Sequence, residues 1–177
     1  MMTILLKKTG VICTLLTVLG TMWGQAQEKE VLFDDFYFGM PKKEAKTVLK
    51  EHHSSSETFE MGQGVHFVVK KNSLVMDNDR LVELKLWTKN NLNANQISAG
   101  LQKTRAYLEA QGYTMVYSQE NWDQPLLIDP SKPCIRFLNE KQTVLLEMEP
   151  RGQGNNYNIY LNYYNMEWVK KHLTPSR

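Results

Sequence analysis

Few residues in this chain are equipped for chemistry. Glu51, His52 and His53, with Glu57 and Glu60 close behind, have the donor types of a metal site. Their spacing argues against one. Neighbouring positions on a helix point about 100° apart, and the zinc patterns His-x3-His or paired cysteines do not occur. A histidine pair at a helix C-terminus, where imidazolium is favoured, accounts for them. Cys134 would need a base to act as a nucleophile, and His66 and His172 are distant in sequence. There is no Gly-x-Ser-x-Gly elbow, no local cysteine-protease signature and no His-Glu-x-x-His. Beside Ile135 and Phe137, Cys134 reads as a small buried hydrophobe. Glu120, Asp123 and Asp129 have the types of a glycosidase carboxylate pair, but they sit in a turn-rich loop whose composition explains them. Gly152-Gln153-Gly154 lacks the Lys-Ser/Thr of a phosphate loop. No catalytic residue, metal ligand or cofactor site is assigned.

Binding has better support. Tyr157, Ile159, Leu161 and Tyr163 alternate with Asn158, Tyr160, Asn162 and Tyr164. If the first set fills a core, the second faces away from it. Tyrosine with asparagine on an open sheet face suits sugar or peptide contact, since rings stack and amides hydrogen-bond. The rival arrangement has the C-terminal helix or the 119–133 loop covering that face. This loop holds three of the six prolines, and its Trp122, Leu126 and Leu127 form a second contact patch. Long loops without periodicity are more often functional or mobile than structural. The candidate binding residues are therefore Tyr160, Tyr164, Asn158, Asn162 and Trp122.

The elements that must position them are organised around residues 33–49. Phe33, Phe36, Tyr37 and Phe38 read as one aromatic strand. Gly39-Met40-Pro41 then turns the chain into a helix, because proline is tolerated in a first helical turn. Ala45, Val48, Leu49 and His52 share one helical face, and Lys42, Lys43, Lys46 and Lys50 lie outside it. So narrow a stripe needs a sheet to pack on.

This order, an aromatic strand, Gly-Met-Pro, a short Lys/Glu-rich helix ending in Val-Leu and then hairpins, resembles small exported bacterial α+β domains. The outer-membrane assembly lipoproteins of the SmpA/BamE type and the β-lactamase-inhibitor-protein-like domains share it. The resemblance implies an α+β fold and export, and carries no site residues. The chain departs from the lipoproteins in having no cysteine at the end of its leader.

Further along, hairpin signals sit at Met61 to Gly64, Asn72-Ser73 and Asp77-Asn78-Asp79. Residues 80–87 alternate, with Val82, Leu84 and Leu86 on one face and Leu81, Glu83, Lys85 and Trp87 on the other. Residues 88–95 are a polar break, and Asn93 or Asn95 caps the next helix. That helix carries Ile97, Leu101, Thr104 and Leu108 on one stripe and ends at Gly112. Gly100 inside it marks close packing. Strands are expected over 113–118, 134–138 and 143–149, a flexible connection over 150–156 and a short helix over 166–173. The fold class is α+β: an antiparallel meander sheet with two helices packed on it and a short C-terminal helix. Residues 27–177 are read as one domain, divisible into halves 27–90 and 91–177, each a helix followed by strands.

Residues 1–26 read as a secretory signal, with Lys7 and Lys8, an apolar stretch over 10–22, and small residues Gly24 and Ala26 before Gln27. The apolar stretch is shorter than a span requires, and Cys13 lies within it without a lipidation context. This segment holds two of the 21 Lys and Arg and none of the 19 Asp and Glu. The remaining 151 residues are formally neutral, which argues against nucleic acid or an anionic membrane as partner. They keep one of the two cysteines, so no intrachain disulfide can form. The reading is an exported, periplasmic or secreted, non-catalytic binding or scaffolding domain of the bacterial envelope. It carries no cofactor and no stable membrane span after cleavage, and its partner is an envelope protein or glycan. The alternative is an envelope hydrolase with a site assembled from scattered residues. The exported protein is expected to begin at Gln27; N-terminal sequencing that found Met1, or lipid on Cys13, would overturn this.

Overall fold

The computed structural model describes residues 29–52 and 58–172. The expected signal segment, His53, the 54–56 turn and Glu57 lie outside them, as does the side chain of His52.

Strands β1 (Val31–Phe33) and β2 (Phe36–Tyr37) form a small antiparallel ribbon. The expected single aromatic strand is thus broken in two. Asp34 adopts φ 49°, a left-handed conformation that aspartate tolerates, so Asp34-Asp35 turns the chain. The turn sends Leu32 and Phe36 into the core. Helix α1 (Lys42–His52) follows, its first bond running from Ala45 N to the Pro41 carbonyl. Ala45 is fully buried, Val48 and Leu49 pack against the core, and the four lysines stay exposed.

Strands β3 (Phe59–Glu60) and β4 (His66–Val68) form a hairpin, and β5 (Leu74–Asp77) and β6 (Arg80–Thr88) another. The second turns on Asn78 and Asp79, at φ 47° and 57°, as a two-residue turn with positive φ at both central positions requires. A bulge between β5 and β6 changes the phase of β6: Leu81 pairs Met76 and joins Leu84 and Leu86 in the core, whereas Val82 stands outside the core cluster. The expected assignment of those two residues is therefore reversed, because one inserted residue flips every side chain beyond it.

Helix α2 (Ala94–Ala110) begins in a reciprocal cap between Asn93 and Gln96. Ile97, Leu101, Thr104 and Leu108 are buried as expected, and Gly100 lies against Ile159. The polar break before it is no slack linker, since Leu92 exchanges two backbone hydrogen bonds with Tyr157. Strands β7 (Thr114–Ser118), β8 (Ile135–Leu138), β9 (Val144–Gln153) and β10 (Asn156–Asn165) and helix α3 (Met166–His172) complete the described residues.

The expected flexible connection over 150–156 is instead the paired tip of the β9–β10 hairpin, with Gly154-Asn155 as its turn. Pro150 survives inside β9 because β8 pairs β9 only up to Met148, so this part of the strand has a free edge.

The larger sheet is antiparallel, has eight strands, and runs β3-β4-β6-β10-β9-β8-β7, with β5 continuing the β4 side of β6. The last strands of the two helix-plus-strands stretches, β6 and β10, are neighbours, and the sheet extends outward from that pair. Core residues from α1, α2, the β1–β2 ribbon and one sheet face form one cluster that includes Tyr157, Ile159, Leu161 and Tyr163.

Backbone proximity is tightest at two glycines. A Cβ on Gly152 (φ 148°) would lie 2.0 Å from the Asn156 carbonyl oxygen, and one on Gly62 (φ 103°) 2.7 Å from the Lys103 carbonyl oxygen of α2. Gly152→Ala and Gly62→Ala should each lower the unfolding free energy by about 2 kcal/mol or more, strain and overpacking combined. Urea denaturation at wild-type midpoint for either variant would refute the close approach.

Candidate functional site

The second face of the sheet is built by register. Residues opposite one another share a face, so Tyr160 lies in a row with Glu149 and Trp87, and beyond Trp87 with Val68. The next row reads Tyr117, Arg136, Glu147, Asn162, Lys85 across β7, β8, β9, β10 and β6. The one after carries Leu138, Leu145, Tyr164, Glu83 and Val75. None of these side chains shares the helix-covered core, so the outward orientation expected for Tyr160 and Tyr164 fits their register.

The centre of the face is a stack of four side chains, three from neighbouring strands and Lys70 from the segment just past β4. Trp87 and Tyr160 stack with ring centroids 6.1 Å apart and planes 30° from parallel. Lys70, two residues past Val68, places its Nζ 5.8 Å from the Trp87 centroid. Arg151 places its guanidinium 5.1 Å from the Tyr160 centroid. Such contacts contribute about 0.5–1 kcal/mol each when exposed, and the ring pair a similar amount.

Three ion pairs surround the stack. Arg136 Nε donates to Glu147 Oε1 at 2.7 Å, and Lys85 Nζ lies 3.3 Å from Glu83 Oε1 without hydrogen-bond geometry. Arg151 grips Glu149 Oε2 through Nε, at 2.8 Å, and through Nη2. Burial, and then the charges of Glu83 and Glu147, push the Tyr164 phenol well above its ordinary range, so it stays neutral.

The asparagines play other parts than expected. The Asn158 amide donates to the Thr88 carbonyl and hydroxyl, both at 3.0 Å, which ties β10 to the end of β6. Asn162 is buried, with its Oδ1 lacking a partner. Asn162 is therefore closed to a ligand, and the Asn158 amide nitrogen is already engaged. Trp122 is a correction too: it packs against the core on the helix side, with the Arg105 guanidinium of α2 5.4 Å from its centroid. Its loop is clamped rather than loose. The Gln119 side chain accepts from Asp129 N at 2.8 Å and donates to the Asp129 and Pro133 carbonyls at 2.9 and 3.1 Å. Pro125, Ile128, Pro130 and Lys132 of the loop share a cavity of about 490 Å³ with Glu149 and Arg151.

The residues singled out for catalysis have structural duties. Cys134 is buried and donates to the Trp122 carbonyl at 3.3 Å. Burial, then Glu149 and Asp123, push its thiol up to about 12. Asp123 accepts from Gln102, and Glu60 from Gly64 N. Hydrogen bonds from Ser131 hold Asp129 below the usual carboxylate range, the opposite of what an acid catalyst needs. His172 stacks on Trp168. Among the described residues, no three His, Cys, Asp or Glu side chains converge as metal ligands.

Trp87, Lys70, Arg136 and Arg151 are the additions that sequence reasoning missed. The outward alternation of Lys85, Trp87, Glu147 and Glu149 was readable; their adjacency was not. Comparison with protein-family models, curated proteins and solved structures gives no match.

The buried thiol and phenols make a pH test. Burial, then the charge of Glu30, also push Tyr113 up to about 12. The folded state holds these protons more tightly than the unfolded chain, whose cysteine and tyrosine ionise near 9 and 10. Stability should be complete below about pH 9 and fall as pH rises from there through about 12. At pH 8 a maleimide should label Cys134 far more slowly in native than in urea-unfolded protein; equal rates would refute burial.

Proposed function

We propose that this chain is an exported, non-catalytic protein-binding domain of a bacterial envelope and that its second sheet face is the contact surface. The observation carrying this reading is the stack of Lys70, Trp87, Tyr160 and Arg151 on the sheet face opposite the helix-covered core. Tryptophan, tyrosine and arginine dominate binding energy at protein interfaces. The stack also favours a protein over a glycan. A sugar stacks on a bare ring face, but here Trp87 and Tyr160 stack on each other and a cation lies 5.8 and 5.1 Å from their respective centroids. The ring edges are left to meet a partner, Asn162 is buried, and the Asn158 amide nitrogen that would grip a sugar hydroxyl is already used. Export rests on the leader pattern of residues 1–26.

The test is capture from envelope extract by the folded domain and by Trp87→Ala and Tyr160→Ala variants. Each variant should reduce capture of the same partner at least tenfold while still melting cooperatively, a few degrees below wild type because the ring and cation contacts are lost. Undiminished capture by both variants would remove this face as the contact surface.

A further inference from the structure

The three ion pairs on the second face share an orientation. In each, the cation is lifted and the carboxylate is sunk. Side-chain exposure is 33 % for Lys85 against 10 % for Glu83, 40 % for Arg136 against 13 % for Glu147, and 54 % for Arg151 against 20 % for Glu149. Lys70 is exposed and has no acid partner among the described residues. Each pair is formally neutral, yet each is a dipole standing on the sheet with its positive end outward. An approaching group meets the cation first, and Coulomb energy falls with distance from the sunken acid. The face of a formally neutral domain therefore presents a cationic surface above a carboxylate floor.

From this we infer that the partner segment is acidic: an extended stretch of protein whose Asp or Glu side chains meet Lys70, Lys85, Arg136 and Arg151. The inference rests on the proposed role of this face. Arg136 binds Glu147 through Nε alone, and its two terminal nitrogens meet no protein acceptor among the described residues. A guanidinium has five N–H donors, so an incoming carboxylate can be held side-on without breaking the existing pair. Across one row the outer cations, Arg136 and Lys85, are separated by three strand spacings, about 14 Å. That is about four residues of extended chain, so acidic side chains at i and i+4 fall on one side of the segment and reach both margins.

Nucleic acid fits less well. Binding of single strands relies on bases stacking on free aromatic faces, and here the two rings stack on each other with a cation near each. The carboxylate floor would also repel a continuous phosphate chain, whereas spaced carboxylates can sit over the raised cations between the acids.

The test uses the mature domain and a twelve-residue glutamate-rich peptide with acids at i and i+4. Its lysine counterpart, a dT12 oligonucleotide and phosphatidylglycerol vesicles are run alongside, with binding followed at about 50 mM salt and again at 300 mM. The glutamate peptide should bind, weaken at high salt, and lose at least tenfold in affinity in a Lys70→Gln, Lys85→Gln, Arg136→Gln, Arg151→Gln variant. Lys70→Gln alone, which breaks no ion pair, should weaken it about threefold with a melting temperature lowered by at most a few degrees, and keeps the test valid if the fourfold variant fails to fold. Absence of peptide binding at low salt, equal binding by the variants, or tighter binding of the oligonucleotide or vesicles would overturn the inference. If Trp87→Ala and Tyr160→Ala lose partner capture while the glutamine variants keep it, the face remains the contact surface and only its acidic preference falls. If all keep it, the face itself is excluded.

Discussion

One strand with both flanks occupied sets the constraints on this molecule. β10 pairs β9 along its whole length and β6 from Tyr160 to Tyr164. Its period of two commits Tyr157, Ile159, Leu161 and Tyr163 to the core. Burying each such side chain contributes about 1.5–3 kcal/mol. A slip of one residue would turn all four outward, a loss comparable to the whole stability of a small domain. The register of β10 is thus held by the core, and the arrangement on its other face follows from that register. Trp87 meets Tyr160, and Asn162 lies between Glu147 and Lys85, because the core permits no other alignment.

The second face inherits an electrostatic problem from this alignment. Glu83, Glu147 and Glu149 are pressed into a crowded sheet surface where an uncompensated charge would be costly. A cation answers each one from a neighbouring position, and those cations rise toward water on long side chains that can snorkel. The outward dipoles follow from the burial of the acids. Stacking against Trp87, Tyr160 and Tyr117 restrains Lys70, Arg151 and Arg136 further. Groups already ordered lose less entropy when a partner arrives, which ties the packing of this face to the binding role proposed for it.

The helix side solves a different problem. Two helices cover β6 and β10, and the 119–133 loop adds to the helix layer. Trp122 reaches the core from it, Cys134 bonds back to Trp122, and Gln119 holds both ends together. A segment that composition marks as loose is therefore scaffold. Its exposed Leu126 and Leu127 are the apolar remainder of that packing.

How much could be read from the chain divides along the range of the forces involved. Helix caps, the Asn78-Asp79 turn and the alternation of β10 depend on contacts within a few residues, so contiguous sequence encodes them. The α+β class, the buried stripe of α2 and the outward direction of Tyr160 and Tyr164 were accordingly readable from pattern. The Asp34 turn, the bulge that exchanged Leu81 for Val82 and the pairing through Pro150 were not, since each is set by which strand lies alongside. The candidate site divides in the same way. Tyr160 can be named from alternation, but its stacking on a tryptophan 73 positions earlier, with Lys70 and Arg151 outside them, exists only once β4, β6, β10 and β9 are neighbours. That neighbourhood is chosen by long-range burial of apolar surface, which no local stretch of residues records.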